Sequence, residues 1–182
     1  MGFLLLSTSG MSQAGITNQP VVPVGPSLEV AMTAYNAVPG QTDEDPFTTA
    51  SGAYSNPEVV AARSQDLKEE LPFGTIIEID GPAEDQHSCG YDVVSPVIGY
   101  RVIADTMNKK FTNRIDVLLG TDTNITLANG RKMNASKVMG VCHGVTVRVV
   151  GHIDPKRMTK MPKTQTELAM LVTGSGNTLA RK

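Results

Sequence analysis

Ile103-Ala-Asp-Thr-Met-Asn-Lys-Lys-Phe-Thr-Asn-Arg-Ile-Asp-Val117 is the stretch on which the reading of this chain turns. Val102-Ile103-Ala104 is a short apolar run of the kind a buried strand shows, and it ends at Asp105. Ile115-Asp-Val-Leu-Leu119 is a second such run, with Asp116 near its start. A carboxylate in or beside a buried strand costs free energy unless it is solvated, paired or used. Two of them, bracketing Asn113-Arg114, point to a site. Spacing alone also fits a blander arrangement. Asp105 then caps a turn, and Asp116 pairs with Lys109, Lys110 or Arg114 on the surface.

Outward from this stretch the chain reads as short strands joined by polar loops. Leu28–Tyr35 alternates, Val59–Ala62 is apolar, and Thr75–Ile79 is closed by Asp80-Gly81-Pro82. Val97–Ala104 and Ile115–Leu119 follow, and Val145–Val150 alternates most clearly. Gln41–Gly52 is a loop too long and polar for an ordinary connection, which suggests function. Ser64–Leu71 predicts one or two helical turns capped by Ser64, and Asn134–Gly140 a short helix capped by Asn134. Residues 83–96 read as an irregular insertion, and 125–133 fit no single element. Thr164-Gln-Thr-Glu167 is a capping-box pattern for a tail helix carrying Leu168, Leu171 and Val172, with Gly174 as its stop. The pattern is all-β, a barrel or sandwich with small helices and a C-terminal helical tail.

Totals narrow the function. The chain has 182 residues, enough for one domain with a core, and a formal charge of -2 without a basic run. That balance argues against nucleic acid as a partner. No apolar run approaches the roughly 20 residues of a transmembrane helix. Met1–Ala14 looks like the back half of a secretory signal, an apolar piece followed by small residues, without its charged start. A proline-rich linker, 15–27, follows. Cys89 and Cys142 fit one disulfide in an exported protein or two buried thiols otherwise. His87 and His143 beside them allow a zinc site to be drawn, but adjacent Cys142-His143 is an awkward ligand pair, and no metal is assigned.

Read together and in order, Thr33-Ala-Tyr35, Gln41-Thr-Asp43, Pro46-Phe47, Thr49-Ala-Ser-Gly52, Val60-Ala61, Leu71-Pro-Phe-Gly-Thr75, Ala104-Asp105-Thr-Met107, Asn113-Arg-Ile-Asp116 and Gly144-Val-Thr-Val147 resemble the 3D domain. That domain is named for three aspartates and is related to the membrane-bound lytic transglycosylase A group and to stationary-phase muralytic proteins. The resemblance spans about Leu28 to Val150. It implies a six-stranded double-psi β-barrel over 28–152, between the signal-like segment and linker (1–27) and the tail (153–182).

It also implies a lytic transglycosylase acting on peptidoglycan glycan strands, without cofactor or metal. In such enzymes one aspartate protonates the glycosidic oxygen between N-acetylmuramic acid and N-acetylglucosamine. It then takes the proton of the muramic C6 hydroxyl as a 1,6-anhydro ring closes. Carried over by motif, Asp116 matches that aspartate and Asp105 its partner. The third falls on Asp66, where the strand-to-turn spacing is longer than in compact relatives. Tyr35, Thr49, Ser51 and Arg114 are the expected substrate-binding residues. A wall substrate implies export to the periplasm or beyond, and with it a Cys89–Cys142 disulfide. The competing expectation is the same barrel binding glycan without cleaving it.

Overall fold

The computed structural model describes residues 25–40, 42, 45–82 and 89–175. The signal-like segment Met1–Ala14, most of the linker, His87 and part of the 83–96 insertion lie outside the described residues. Among the described residues, eight strands run in chain order: β1 (Ser27–Tyr35), β2 (Val60–Arg63), β3 (Thr75–Asp80), β4 (Arg101–Thr106), β5 (Arg114–Leu118), β6 (Asn124–Thr126), β7 (Lys132–Asn134) and β8 (Cys142–His152). Three α-helices accompany them: α1 (Tyr91–Val94), α2 (Ala135–Met139) and α3 (Gln165–Ser175). Six strands close into a mixed barrel in the order β1-β5-β2-β4-β3-β8. The pairs β1–β5 and β2–β4 are parallel, and the other four are antiparallel. The chain is thus mostly β, with a closed six-stranded barrel and a few short helices. Residues 125–133 resolve into the β6–β7 hairpin, a separate two-stranded sheet.

Alternation along the strands builds the core. Successive residues of β2 and β4 feed two apolar clusters. Ala61 and Ile103 join one, with Met32, Ile115, Val117, Val145 and Val147. Val60, Ala62, Val102 and Ala104 join the other, with Tyr35, Leu118 and Met107. A register shift breaks the β2–β4 ladder. Ala61 faces Ile103, but the next step pairs Ala62 with Asp105, so β4 carries one extra residue. Such a bulge re-aims the side chain that follows it.

Some boundaries differ from the sequence expectation. The strand predicted from Val97 begins only at Arg101, because Ser95–Val97 with Pro96 form a 3-10 turn and Gly99 has a positive φ of 60°. Arg101 is almost wholly buried, and its guanidinium donates to the carbonyls of Ile98, Pro57, Leu118 and Val97. Burial lowers its pKa to about 9, which leaves it charged at neutral pH while it fastens three backbone segments around the start of β4. Ser64 precedes a 3-10 turn, Gln65–Leu67, but its hydroxyl makes no cap bond there. It accepts the Arg114 N–H instead, across to β5. Asn134 does cap α2, accepting the Ser136 N–H. Gly74 turns the chain into β3 at φ 93°, where a Cβ would collide with the Ile153 carbonyl oxygen.

The tail belongs to the barrel's packing. Met158, Met161, Leu168 and Val172 are buried in the same cluster as Tyr35, Ala62 and Met107. Thr164 accepts the Glu167 N–H at the start of α3, as a capping box requires, while the Glu167 carboxylate reaches the Lys163 N–H. The helix runs one residue beyond Gly174. Gln165 ties it to the barrel through the N–H and carbonyl of Tyr100 and the carbonyl of Glu58.

Candidate active site

β2 lies between β4 and β5, and one residue on it organises the site. Ala62 is in register with Asp105 on one side and with Asp116 on the other. Residues opposite one another point to the same face, and adjacent strands lie about 4.8 Å apart. The two aspartates therefore stand two strand spacings apart, roughly 10 Å between backbones, over a methyl group that leaves the space between them open. Without the extra residue in β4, Asp105 would pair with Arg63. That side chain turns away, its Nε donating to the Leu71 carbonyl and its guanidinium 5.2 Å from the Phe73 ring. The bulge is what brings the two carboxylates to one face.

That face is the floor of a cavity of about 470 Å³. Tyr35, Ala62, Asp105, Thr106 and Asp116 line it from the barrel, Met107, Asn108 and Phe111 from the β4–β5 connection, Thr42, Asp45, Thr48 and Ala50 from the long loop, and Ser55 from the residues just after it. The loop is anchored on β4 by the Ser51 N–H on the Ala104 carbonyl and the Ala50 N–H on Asp105 Oδ1. Thr42, Asp45, Thr48 and Ala50 of that loop form one wall of the cavity.

The two carboxyls have different surroundings. Asp105 accepts three hydrogen bonds: from the Tyr35 hydroxyl at 3.2 Å, the Ala50 N–H at 2.9 Å and the Thr106 N–H at 2.9 Å. Asp116 accepts one from the Thr33 hydroxyl at 2.8 Å. Burial dominates Asp116 and pushes its pKa up to about 7. The Thr33 bond and the Arg114 charge pull it down, the Asp105 charge pushes it up, and burial outweighs them. Burial, with the charges of Asp105 and Asp116, also raises the Tyr35 phenol well above its ordinary value, so it serves Asp105 as a donor.

Arg114 lies in β5 two residues before Asp116, so the two share a strand face, as alternation predicts. Its guanidinium sits 5.0 Å from the centre of the Phe111 ring.

Four expected residues, Arg114, Asp66, Thr49 and Ser51, do not line the cavity. Asp66 is exposed on the turn after β2 and does not line the cavity. It accepts the Asn113 N–H at 2.8 Å, and its pKa is lowered, first by the Ser64 hydroxyl. Asn113 has a positive φ of 47°, so Asp66 holds the bend that launches β5. The third cavity aspartate is Asp45, in the long loop. Its carboxylate accepts the Phe47 N–H, and bonds from Thr48 and Phe47 lower its pKa. Thr49 and Ser51 hydrogen-bond each other, and Thr49 bonds the Ala53 carbonyl. They shape the loop and do not face the cavity, because short hydroxyl side chains in turns find local backbone first.

Thr33 is the residue that sequence reasoning missed. It stands in the Thr33-Ala-Tyr35 motif, but only the parallel β1–β5 register, with Thr33 opposite Asp116, reveals its task.

Cys89 and Cys142 form a disulfide that joins the segment before α1 to the first residue of β8. Neither sulfur is then available as a metal ligand. Among the described residues, no group of three or more His, Cys, Asp or Glu side chains is arranged to hold a metal ion, and no helix is long and apolar enough to cross a membrane. Neither protein-family models nor curated proteins yield a match to this chain.

Proposed function

We propose that the protein is a lytic transglycosylase of peptidoglycan glycan strands, built on a barrel of double-psi type. The observation that carries this reading is the unequal carboxyl pair across Ala62. Asp116 is poised to hold or release a proton near neutrality, and Asp105 is fixed by three donors beside it. General acid chemistry at neutral pH needs a carboxyl of the first kind. An oxocarbenium-like transition state is stabilised by a neighbour of the second kind.

In the proposed reaction, Asp116 donates its proton to the glycosidic oxygen as the muramic C1–O bond breaks. The muramic C6 oxygen attacks C1 and gives its proton to the Asp116 carboxylate. The acid is thereby restored, and the products are a free N-acetylglucosamine 4-hydroxyl and a 1,6-anhydromuramic end. No water is consumed. Asp105 faces the developing positive charge. The Thr33 hydroxyl holds the Asp116 carboxylate in the state in which it accepts the second proton. Substrate lies along the cavity between the long loop and Phe111.

The test is incubation with purified peptidoglycan and mass spectrometry of the soluble products. Wild type should release 1,6-anhydromuropeptides. Asp116→Asn should lower the rate by at least about a thousandfold, since an amide neither donates nor recovers the proton. Reducing-end products in place of anhydro products would make the protein a hydrolase. Glycan retained but uncleaved by wild type would make it a binding module. The reaction begins from protonated Asp116, so kcat/KM should fall about tenfold per pH unit above about 7.

A further inference from the structure

The β4–β5 connection carries charge that the proposed chemistry does not use. Lys110 Nζ and the Arg114 guanidinium each lie 5.0 Å from the centre of the Phe111 ring, and Phe111 lines the cavity. Both cations are therefore within about 10 Å of each other, on a single ring. Neither appears in a salt bridge among the described residues. The Nε of Arg114 is buried without a hydrogen-bond partner among them. The nearest anion to Arg114 on its own strand is Asp116, which carries no charge when it is ready to act as an acid. The two cations share one aromatic ring, and that ring lines the cavity.

We propose that Lys110, Phe111 and Arg114 form a rim that binds a carboxylate borne by the substrate and seats it beside the Asp105–Asp116 pair. The rim rests on the peptidoglycan reading above, where such a carboxylate sits on the muramic lactyl group or on the peptide stem. An aromatic ring backs both cations and limits their wandering, and a carboxylate makes a charge-assisted contact with the Arg114 guanidinium. The rim thus selects for anionic strands and against neutral polymers of the same sugars.

The experiment measures equilibrium binding of full-length Asp116→Asn protein to soluble glycan strands of three kinds. One bears peptide stems, one is amidase-stripped to leave lactyl carboxylates, and one has its carboxyls converted to amides. Unmodified strands should bind about tenfold more tightly than amidated ones, the worth of one partly buried charge-assisted contact. Adding Lys110→Gln or Arg114→Gln should bring that ratio toward one. Lys110 is exposed, so its variant tests the rim without threatening the fold. A preference kept by stem-stripped strands assigns the lactyl carboxylate, and one confined to stem-bearing strands assigns the peptide. Equal affinity for charged and amidated strands would overturn the rim, as would a preference that survives both substitutions. Anionic preference in a protein whose wild type releases no anhydro product would leave the rim standing and remove the activity alone. Absence of binding to any strand would remove both.

Discussion

Asp116 carries a folding penalty when it is charged. Its carboxyl binds a proton more tightly in the folded chain, about pH 7, than at the ordinary value of 3.8. A raised pKa means that the stability it contributes is complete below about pH 4 and is lost as pH rises through about 7. Asp116→Asn should therefore stabilise the protein at pH 8 by on the order of 2–4 kcal/mol and have little effect near pH 4. Urea unfolding of both proteins across that range checks it, and a pH-independent difference would mean that Asp116 is not the strained group. Asp105 and Asp116 were legible in the sequence because each interrupts an apolar run. Asp45 was not, since an aspartate in a polar loop looks like any surface acid. Asp66 was misplaced for the opposite reason: its neighbourhood resembles a motif, but the longer turn leaves it in solvent, where it holds Asn113.

Among the elements, β2 is the shortest barrel strand and the one on which the site depends. Its four residues are all buried; sequence conveys Val60-Ala61-Ala62 as an apolar run but not the burial of Arg63. Sequence conveys nothing of the bulge opposite it. A single extra residue in β4 leaves the hydrophobic pattern of Val102-Ile103-Ala104 intact while changing the face that Asp105 takes. Register between parallel strands is equally silent, because Thr33 and Asp116 meet across 83 positions. Of the helix starts, Asn134 and Thr164 behave as their local motifs predict, and Ser64 does not, because its hydroxyl is drawn to the Arg114 N–H across the sheet. α3 and the segment before it complete the cluster that packs Tyr35. Removing residues 153–182 strips four buried side chains from that cluster, each worth about 1.5–3 kcal/mol. The truncated chain should lose its cooperative thermal transition by calorimetry. An unchanged transition would make the tail an appendage.

Over the whole molecule, the order of strands from first to last was readable as an all-β pattern, and the count of barrel strands agrees with it. Closure was not readable, because it depends on β8 reaching both β1 and β3. The Cys89–Cys142 bridge spans 53 positions and anchors the insertion before α1 to the start of β8. Chain-entropy arguments place the contribution of a loop of that length at about 4 kcal/mol. Thermal melts with and without reductant should differ accordingly, and Cys89→Ser should match the reduced protein. Identical melts would show that the bridge is absent in solution.

Every strand of the barrel has a neighbour on both sides. A ring of this kind has no first or last strand, and so no open row of N–H and carbonyl groups on which another chain can lay itself down. The β6–β7 pair, three residues to a strand, is too brief a template to take over that role. Concentrated solutions of the folded protein are thus guarded against sheet-to-sheet growth by the closure that β8 completes.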